Sequence, residues 1–197
     1  MKPLPESFYT RDTVEVARDL IGKTLIRREG KTRISGMIIE TEAYRGEEDL
    51  ACHCRAGRTP RTEVMYGPAG IAYVYLIYGM YWLLNVVTES VGKPGAVLIR
   101  AIEPLEGLEI IARRRAGQAR KNWTDGPGKL SRALNIAGDL NGANICSGAV
   151  SLNITQGKEI SPEAIQSGPR VGLESVPEPW RSIAWRFKVN HQLIKGF

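Results

Sequence analysis

Tyr73-Val74-Tyr75-Leu76-Ile77-Tyr78-Gly79-Met80-Tyr81-Trp82-Leu83-Leu84-Asn85-Val86-Val87 lies inside a longer stretch, residues 64–88, that carries no charged side chain. The stretch is long enough to span a bilayer as a helix, so its reading decides between a membrane segment and part of a sheet. Composition settles the choice. Five of the seven tyrosines (Tyr66, Tyr73, Tyr75, Tyr78 and Tyr81) fall here, with Gly67-Pro68 near the start and Gly79 near the middle. Tyrosine belongs at membrane interfaces rather than midplanes, and β-branched and aromatic residues divided by a glycine read as two strands and a turn. The expectation is a β-hairpin with Tyr78-Gly79-Met80 at its tip, and no membrane association.

The neighbouring segments supply partners for such a hairpin. Thr10-Arg11-Asp12-Thr13 offers caps for a short helix carrying Val14, Ala17, Leu20 and Ile21 at helical spacing, with Gly22 as its stop. Residues 23–28 and 34–44 read as strands around the turn Glu29-Gly30-Lys31. The polar, Arg-rich stretch 46–70 is broken by prolines, and loops of that length seldom exist for connection alone. Residues 96–101 predict another strand. Pro104 is expected to open a helix that runs through the Arg113-Arg114-Arg115 triplet to Gly117, and a further helix spans about 127–135. Residues 149–155, 171–173 and 183–189 read as late strands. No repeat or Gly/Ser linker divides the chain. The predicted fold class is α+β: one mixed domain over residues 1–197, with a curved antiparallel sheet, flanking helices and a protruding hairpin.

The chain has 197 residues, 43% hydrophobic and 24% charged, a balance that excludes disorder. Three cysteines cannot pair completely, and the start Met1-Lys2-Pro3-Leu4-Pro5 has no apolar signal core. A reducing compartment is therefore expected, cytoplasmic or associated with the nucleoid. The net charge of +6 favours a polyanionic partner. Its distribution is uneven: Arg113, Arg114, Arg115, Arg120, Lys121, Lys129 and Arg132 are opposed in sequence by Asp125 alone, and residues 53–62 carry three arginines and no acid.

Strand alternation sorts residues 34–44 into two faces, Met37, Ile39, Thr41 and Ala43 on the core side, and Ile38, Glu40, Glu42 and Tyr44 on the other. Strand rise puts Glu40 and Glu42 about 6.6 Å apart. Two carboxylates beside a tyrosine suit glycosidic cleavage, one carboxylate activating water or stabilising an oxocarbenium-like sugar. Cys52-His53-Cys54 brings a metal to mind, but structural zinc takes four ligands and Cys146 and His191 are isolated, so no metal is expected. Gly126-Pro127-Gly128-Lys129-Leu130 lacks the spacing of a nucleotide phosphate loop, although amides at a helix start can hold one phosphate of a polymer.

Four blocks in series are more specific than any one of them: Met37-Ile38-Ile39-Glu40-Thr41-Glu42-Ala43-Tyr44, Tyr73 to Tyr81, Arg100-Ala101-Ile102-Glu103-Pro104-Leu105-Glu106-Gly107 and Gly126-Pro127-Gly128-Lys129-Leu130. In this order they resemble the alkyladenine (3-methyladenine, N-methylpurine) DNA glycosylase family, from about residue 8 to residue 189. The resemblance implies a base-excision enzyme, monomeric and without cofactor, acting on damaged purines in double-stranded DNA. It places the general base on Glu42, with Arg100 orienting carboxylate and water. Tyr44 and Tyr75 would stack on the extruded purine, His53 would meet its edge, and Asn85 would exclude the amino group of guanine. Tyr78 would enter the minor groove in place of the extruded nucleotide. Arg55, Arg58, Arg61 and Lys129 would hold the DNA backbone. A Schiff-base role for Lys129 is rejected, because its helix-start setting suits a phosphate and the family is monofunctional.

These roles make physical sense. A stacked base must leave the duplex before attack, and an aromatic wedge offsets part of the cost. Alkylation at a ring nitrogen makes a cationic leaving group that an electron-rich cage attracts. The sequence departs from the family pattern at Thr62, at Cys52 and Cys54 beside His53, at Ala69, and in the close Asn190 to Phe197. Two other readings remain: a non-catalytic nucleic-acid module reading backbone with arginines and bases with tyrosines, and a hydrolase of free nucleosides using Glu40 and Glu42 as a pair. Tyr73, Tyr81, Trp82, Trp180 and Trp185 read as sheet or core packing.

Overall fold

A computed structural model describes residues 2–190. The atypical close from residue 191 onward, including His191, lies outside the described residues. The fold is mixed α/β with a curved antiparallel sheet and few helices, built in the order α1 (Glu6–Tyr9), α2 (Thr13–Asp19), β1 (Thr24–Glu29), β2 (Thr32–Arg45), β3 (Ala72–Ile77), β4 (Tyr81–Val87), β5 (Gly95–Glu106), α3 (Leu108–Arg114), α4 (Pro127–Leu134), β6 (Leu152–Thr155), β7 (Ile165–Gly168) and β8 (Arg186–Val189). The sheet runs β3-β4-β5-β2-β1-β6, and β8 pairs with both β2 and β7. Among the described residues no helix is long and apolar enough to cross a membrane. The uncharged stretch is the β3–β4 hairpin, Ala72 pairing with Val86 and Ile77 with Tyr81.

Both faces of the hairpin's base are covered, which explains why it lacks charge there. Ala72, Val74, Leu84 and Val86 join the main core with Val16 and Ala17 of α2, Leu20 at its C-terminal cap, and Leu130, Ala133 and Leu134 of α4. Their neighbours Tyr73 and Val87 join a second cluster under the 46–70 loop, with Cys52, Cys54, Met65, Tyr66 and Ala96. That loop is ordered by two 3-10 turns, His53–Ala56 and Glu63–Tyr66. The capping signal before α2 resolves onto Asp12, whose carboxylate accepts from Val14 N at 2.8 Å and Glu15 N at 3.2 Å.

Several expectations need correction. Pro104 opens no helix. It lies within β5 opposite Gly36 at a register shift, where its missing N–H removes no regular ladder bond. The strand ends at Gly107, whose φ of +73° makes the turn into α3; a Cβ there would lie 3.0 Å from Ile34. Helix α3 stops at Arg114, short of Gly117. Residues 171–173 form a turn rather than a strand, because Gly172 sits at φ +75° and the Val171 N–H bonds a side chain. The last strand starts at Arg186 rather than 183. The four-residue α1 and β7 had no readable signal, being too short to display a period.

The most consequential correction falls in β2. Ile38 pairs with Ile102 and Glu40 with Ala101, then Thr41 with Ile99, so the ladder skips Ile39 and Arg100. This bulge reverses the facing of the strand. Ile38 packs in the core with Ala43, rather than beside Glu40, Glu42 and Tyr44 as strict alternation predicts.

Candidate active site

Alternation along three strands builds a cavity of about 540 Å³ on the face opposite the main core. Tyr73, Tyr75 and Ile77 come from β3, Tyr81, Leu83 and Asn85 from β4, and Ala96, Leu98 and Arg100 from β5. Tyr44 of β2, His53 of the long loop and Val171 to Leu173 complete the inner wall, and Tyr78 and Lys129 stand toward its edge. Among the described residues no group of three or more His, Cys, Asp or Glu side chains is placed to hold a metal.

Glu42 lies behind this wall, not on it, with no solvent exposure. Its Oε1 accepts from the Val171 N–H at 2.7 Å. Its Oε2 accepts from the Tyr44 hydroxyl at 2.9 Å and from Arg100 Nη1 at 3.2 Å. The Nε of Arg100 turns to Glu40 at 3.1 Å, and Arg186 lies 3.6 Å from the same Glu40 oxygen. One guanidinium therefore bridges two carboxylates, at the position the bulge displaces from the ladder. Burial pushes the Glu42 carboxyl above its ordinary range, against the pull of Arg100, the Val171 N–H and Tyr44, while the charge of Glu40 adds to the push. Burial and the Glu42 charge hold the Tyr44 phenol well above its usual value, so it donates as a neutral hydroxyl.

The opposite wall is aromatic. His53 meets Tyr75 edge-on at 4.6 Å, and Tyr73 lies tilted against Tyr75 at 5.2 Å. His53 Nδ1 is 2.9 Å from the Tyr73 hydroxyl, and Arg61 Nη2 is 3.5 Å from Nε2. Burial, then the charges of Arg61 and Arg55, push the imidazole down to about 4, so it is neutral near pH 7. A guanidinium only donates, so Arg61 favours the tautomer with its proton on Nδ1. Arg61 also lies 5.2 Å from the centre of the Tyr75 ring.

Asn85 is buried and lines the cavity, its Nδ2 donating to the Tyr73 carbonyl at 3.1 Å. Tyr78 is 82% exposed at the hairpin tip, next to Met80 at 66%. The basic residues are scattered. Lys129 reaches the cavity edge, paired with Asp125 at 2.9 Å. Arg55 donates to the Leu50 carbonyl, and Arg58 is paired with Glu63, both away from the cavity lining. The arginine triplet splits: Arg114 is tied to Glu29 at 2.6 Å and to the Ala133 carbonyl, whereas Arg115 joins the cavity lining with Arg132. Gly128, the second residue of α4, lies so close to Tyr81 that a Cβ would meet its side-chain atoms at 3.1 Å.

Tyr73 and Tyr81, read from the sequence as packing, both line the cavity. Trp180 and Trp185 do pack, 5.8 Å apart. Sequence reasoning missed Val171, which acts through its backbone N–H, and the ion pair of Arg170 with Asp49. Neither leaves a pattern: Asp49 follows two other acids, and Arg170 follows a proline in an irregular segment.

The chain is similar to known proteins over most of its length. A family model described as methylpurine-DNA glycosylase matches residues 7–193, and the chain belongs to this family. It is 49% identical to a Myxococcus xanthus protein over 88% of this chain and 84% of that one. It is 50% identical to a Methanocella arvoryzae protein over 92% of each, and 44% identical to one from Desulfitobacterium hafniense over 95% of each. All three are provisionally named 3-methyladenine DNA glycosylases.

Proposed function

We propose that the chain is a monofunctional, monomeric base-excision glycosylase of the cytoplasm or nucleoid. It extrudes alkylated or deaminated purines of the 3-methyladenine type from duplex DNA and hydrolyses their N-glycosidic bond. The observation that carries this reading is the Glu42 carboxylate, buried yet kept ready for charge by three donors. Each carboxylate oxygen has about two acceptor sites. Oε2 is filled by Tyr44 and Arg100, whereas Oε1, among the described residues, accepts from the Val171 N–H alone. Oε1 is therefore the atom assigned to take a proton from water, and the three residues that bond the carboxylate, Tyr44, Arg100 and Val171, all line the cavity. The carboxylate also stabilises charge developing on the sugar.

Tyr44, Tyr75 and His53 form the base pocket, Tyr78 fills the vacated stack, and water, a carboxylate and a cationic leaving group supply the chemistry. A duplex oligonucleotide carrying one alkylated or deaminated adenine tests this reading: an abasic site is expected, with free nucleosides inert. A non-catalytic module would bind and leave the base intact. A nucleoside hydrolase would act on the free nucleosides, and would need Glu40, whose Oε1 is held by Arg100 and lies near Arg186.

Asn85→Ala is expected to raise the guanine-to-adenine excision ratio, because truncation opens space beside the base. If Asn85 serves only its bond to Tyr73, the variant loses thermal stability with that ratio unchanged. The basic residues divide similarly. Arg115→Ala is expected to lower the slope of log affinity for undamaged duplex against log salt by about one, the loss of one phosphate contact. Arg114→Ala is expected to lower the melting temperature through Glu29 and leave that slope unchanged. An unchanged slope in Arg115→Ala moves the binding face to Arg55, Arg58 and Arg61.

A further inference from the structure

The guanidinium of Arg170 is fully buried, and several of its contacts lead to the site. Its Nη1 donates to the Ala43 carbonyl at 2.9 Å and to Asp49 Oδ2 at 2.5 Å. Its Nη2 donates to Asp49 Oδ1 at 2.9 Å and to the Trp180 carbonyl at 3.1 Å. The guanidinium carbon lies over two rings, 4.8 Å from the centre of Tyr44 and 5.2 Å from that of Trp185. The side chain thus touches the residue between Glu42 and Tyr44, the ring of Tyr44 itself, and the start of the loop that becomes the other wall. The backbone of the next residue, Val171, supplies the donor on Glu42 Oε1.

Asp49 extends the clamp. Its Oδ1 accepts from Ala51 N at 3.0 Å, its Oδ2 from Arg45 N at 3.3 Å, and its carbonyl from Cys52 N at 2.8 Å. These bonds form the turn that delivers His53 to the cavity. A buried ion pair is weak evidence for stability, since apolar residues of the same volume often do as well. What such a pair does supply is fixed geometry: the guanidinium fork sets two carbonyls, one carboxylate and two rings in one arrangement.

We propose that Arg170, clamped by Asp49, is a positioning residue for excision, holding the Val171 N–H on Glu42 and the Tyr44 ring in the cavity wall. The inference rests on the reading of Glu42 as the base. The groups facing Glu42 are Glu40 and Tyr44 from β2, Arg100 from β5, Arg186 through Glu40 from β8, Tyr75 from β3 and the Val171 N–H. Of these, Arg170 governs the Val171 donor and the Tyr44 ring.

The test uses Arg170→Lys, which keeps charge but loses the fork, and Asp49→Asn, which keeps volume. Each is measured by single-turnover excision against pH on a duplex with one lesion, by affinity for that duplex, and by thermal unfolding. All rates are taken below the lowest melting temperature, with Glu42→Gln as control. Displacing a reacting group slightly costs roughly 10- to 100-fold in rate, and this loss is expected in Arg170→Lys with affinity little changed. Weakening a donor to the charged form favours the protonated carboxyl, so the acid limb of the profile is expected to move to higher pH in both variants. A lowered melting temperature with wild-type rate and limb would show that the pair only stabilises the fold. If Arg170→Lys fails to fold, the limb of Asp49→Asn decides in the same way. Excision that survives Glu42→Gln removes the base assignment and this inference together. Excision lost in Glu42→Gln, with wild-type rate and limb in the other variants, overturns this inference alone.

Discussion

Glu42→Gln is expected to lower single-turnover excision by on the order of 10²–10⁴-fold, the usual worth of a positioned acid or base, while lesion-duplex affinity stays near that of the unchanged protein. The substitution preserves shape and removes both the proton acceptor and the charge near the forming sugar cation. Glu40→Gln is expected to cost much less, because that carboxylate bonds Arg100 and does not line the cavity. The reverse order of the two effects would reassign the base. The pH dependence follows from burial. Glu42 is held above the ordinary Glu range, so the acid limb of excision is expected to lie higher than a solvent-exposed glutamate would place it.

The same burial has a stability consequence with a definite sign. The folded chain binds the Glu42 proton more tightly than the unfolded chain does. The stabilisation from the protonated form is therefore full below the unfolded value and is lost as pH rises through the raised folded value. At neutral pH, where the proposed mechanism needs the carboxylate, the charge burdens the fold. Glu42→Gln is accordingly not expected to lower the melting temperature there.

The site was legible where it follows a period and hidden where it follows a contact. Tyr75, Asn85 and Arg100, which the family resemblance names, share one cavity face because strands alternate, and the same alternation brings Tyr73, Leu83 and Leu98 there although Tyr73 reads as packing from the sequence. The two-residue spacing of Glu40, Glu42 and Tyr44 survived for the same reason. The bulge at Ile39 did not show, because one skipped residue leaves an apolar run looking continuous. Pro104 looked like a helix start because its role as a ladder interruption depends on Gly36, far away in the chain. Arg170 and Val171 act through a backbone donor and a buried fork, and a backbone N–H has no residue type to betray it. The uncharged hairpin was readable as a hairpin, but the cover on both faces of its base comes from the 46–70 loop and α4, which no local pattern connects to it.

Tyr78→Ala is expected to lower excision from a stably paired duplex by roughly 10- to 100-fold, matching the loss of a few kcal/mol that offset unstacking. The turn that carries it is closed by the Met80 N–H on the Ile77 carbonyl at 3.2 Å. Its central residues, Tyr78 and Gly79, have φ of +53° and +67°. Such a turn favours Asn-Gly or Gly-Gly, and a left-handed non-glycine residue costs roughly 1–2 kcal/mol. A bulky ring kept there while 82% exposed contributes no packing to offset that strain, which suits a side chain kept for what it meets outside the protein. The same exposure separates the reading from a core role. Truncating a packed tyrosine would lower the melting temperature and slow every substrate alike. Here Tyr78→Ala is expected to leave the melting temperature unchanged, and Tyr78→Gly to raise it by relieving the backbone, yet both are expected to lose duplex excision. The loss should shrink for the same lesion in a bulge or single strand, where extrusion already costs less. The deciding measurement is the ratio of single-turnover excision in duplex and single-stranded contexts for the two variants. A ratio equal to that of the unchanged protein would remove Tyr78 from the reaction and leave the strained turn without a role in base extrusion.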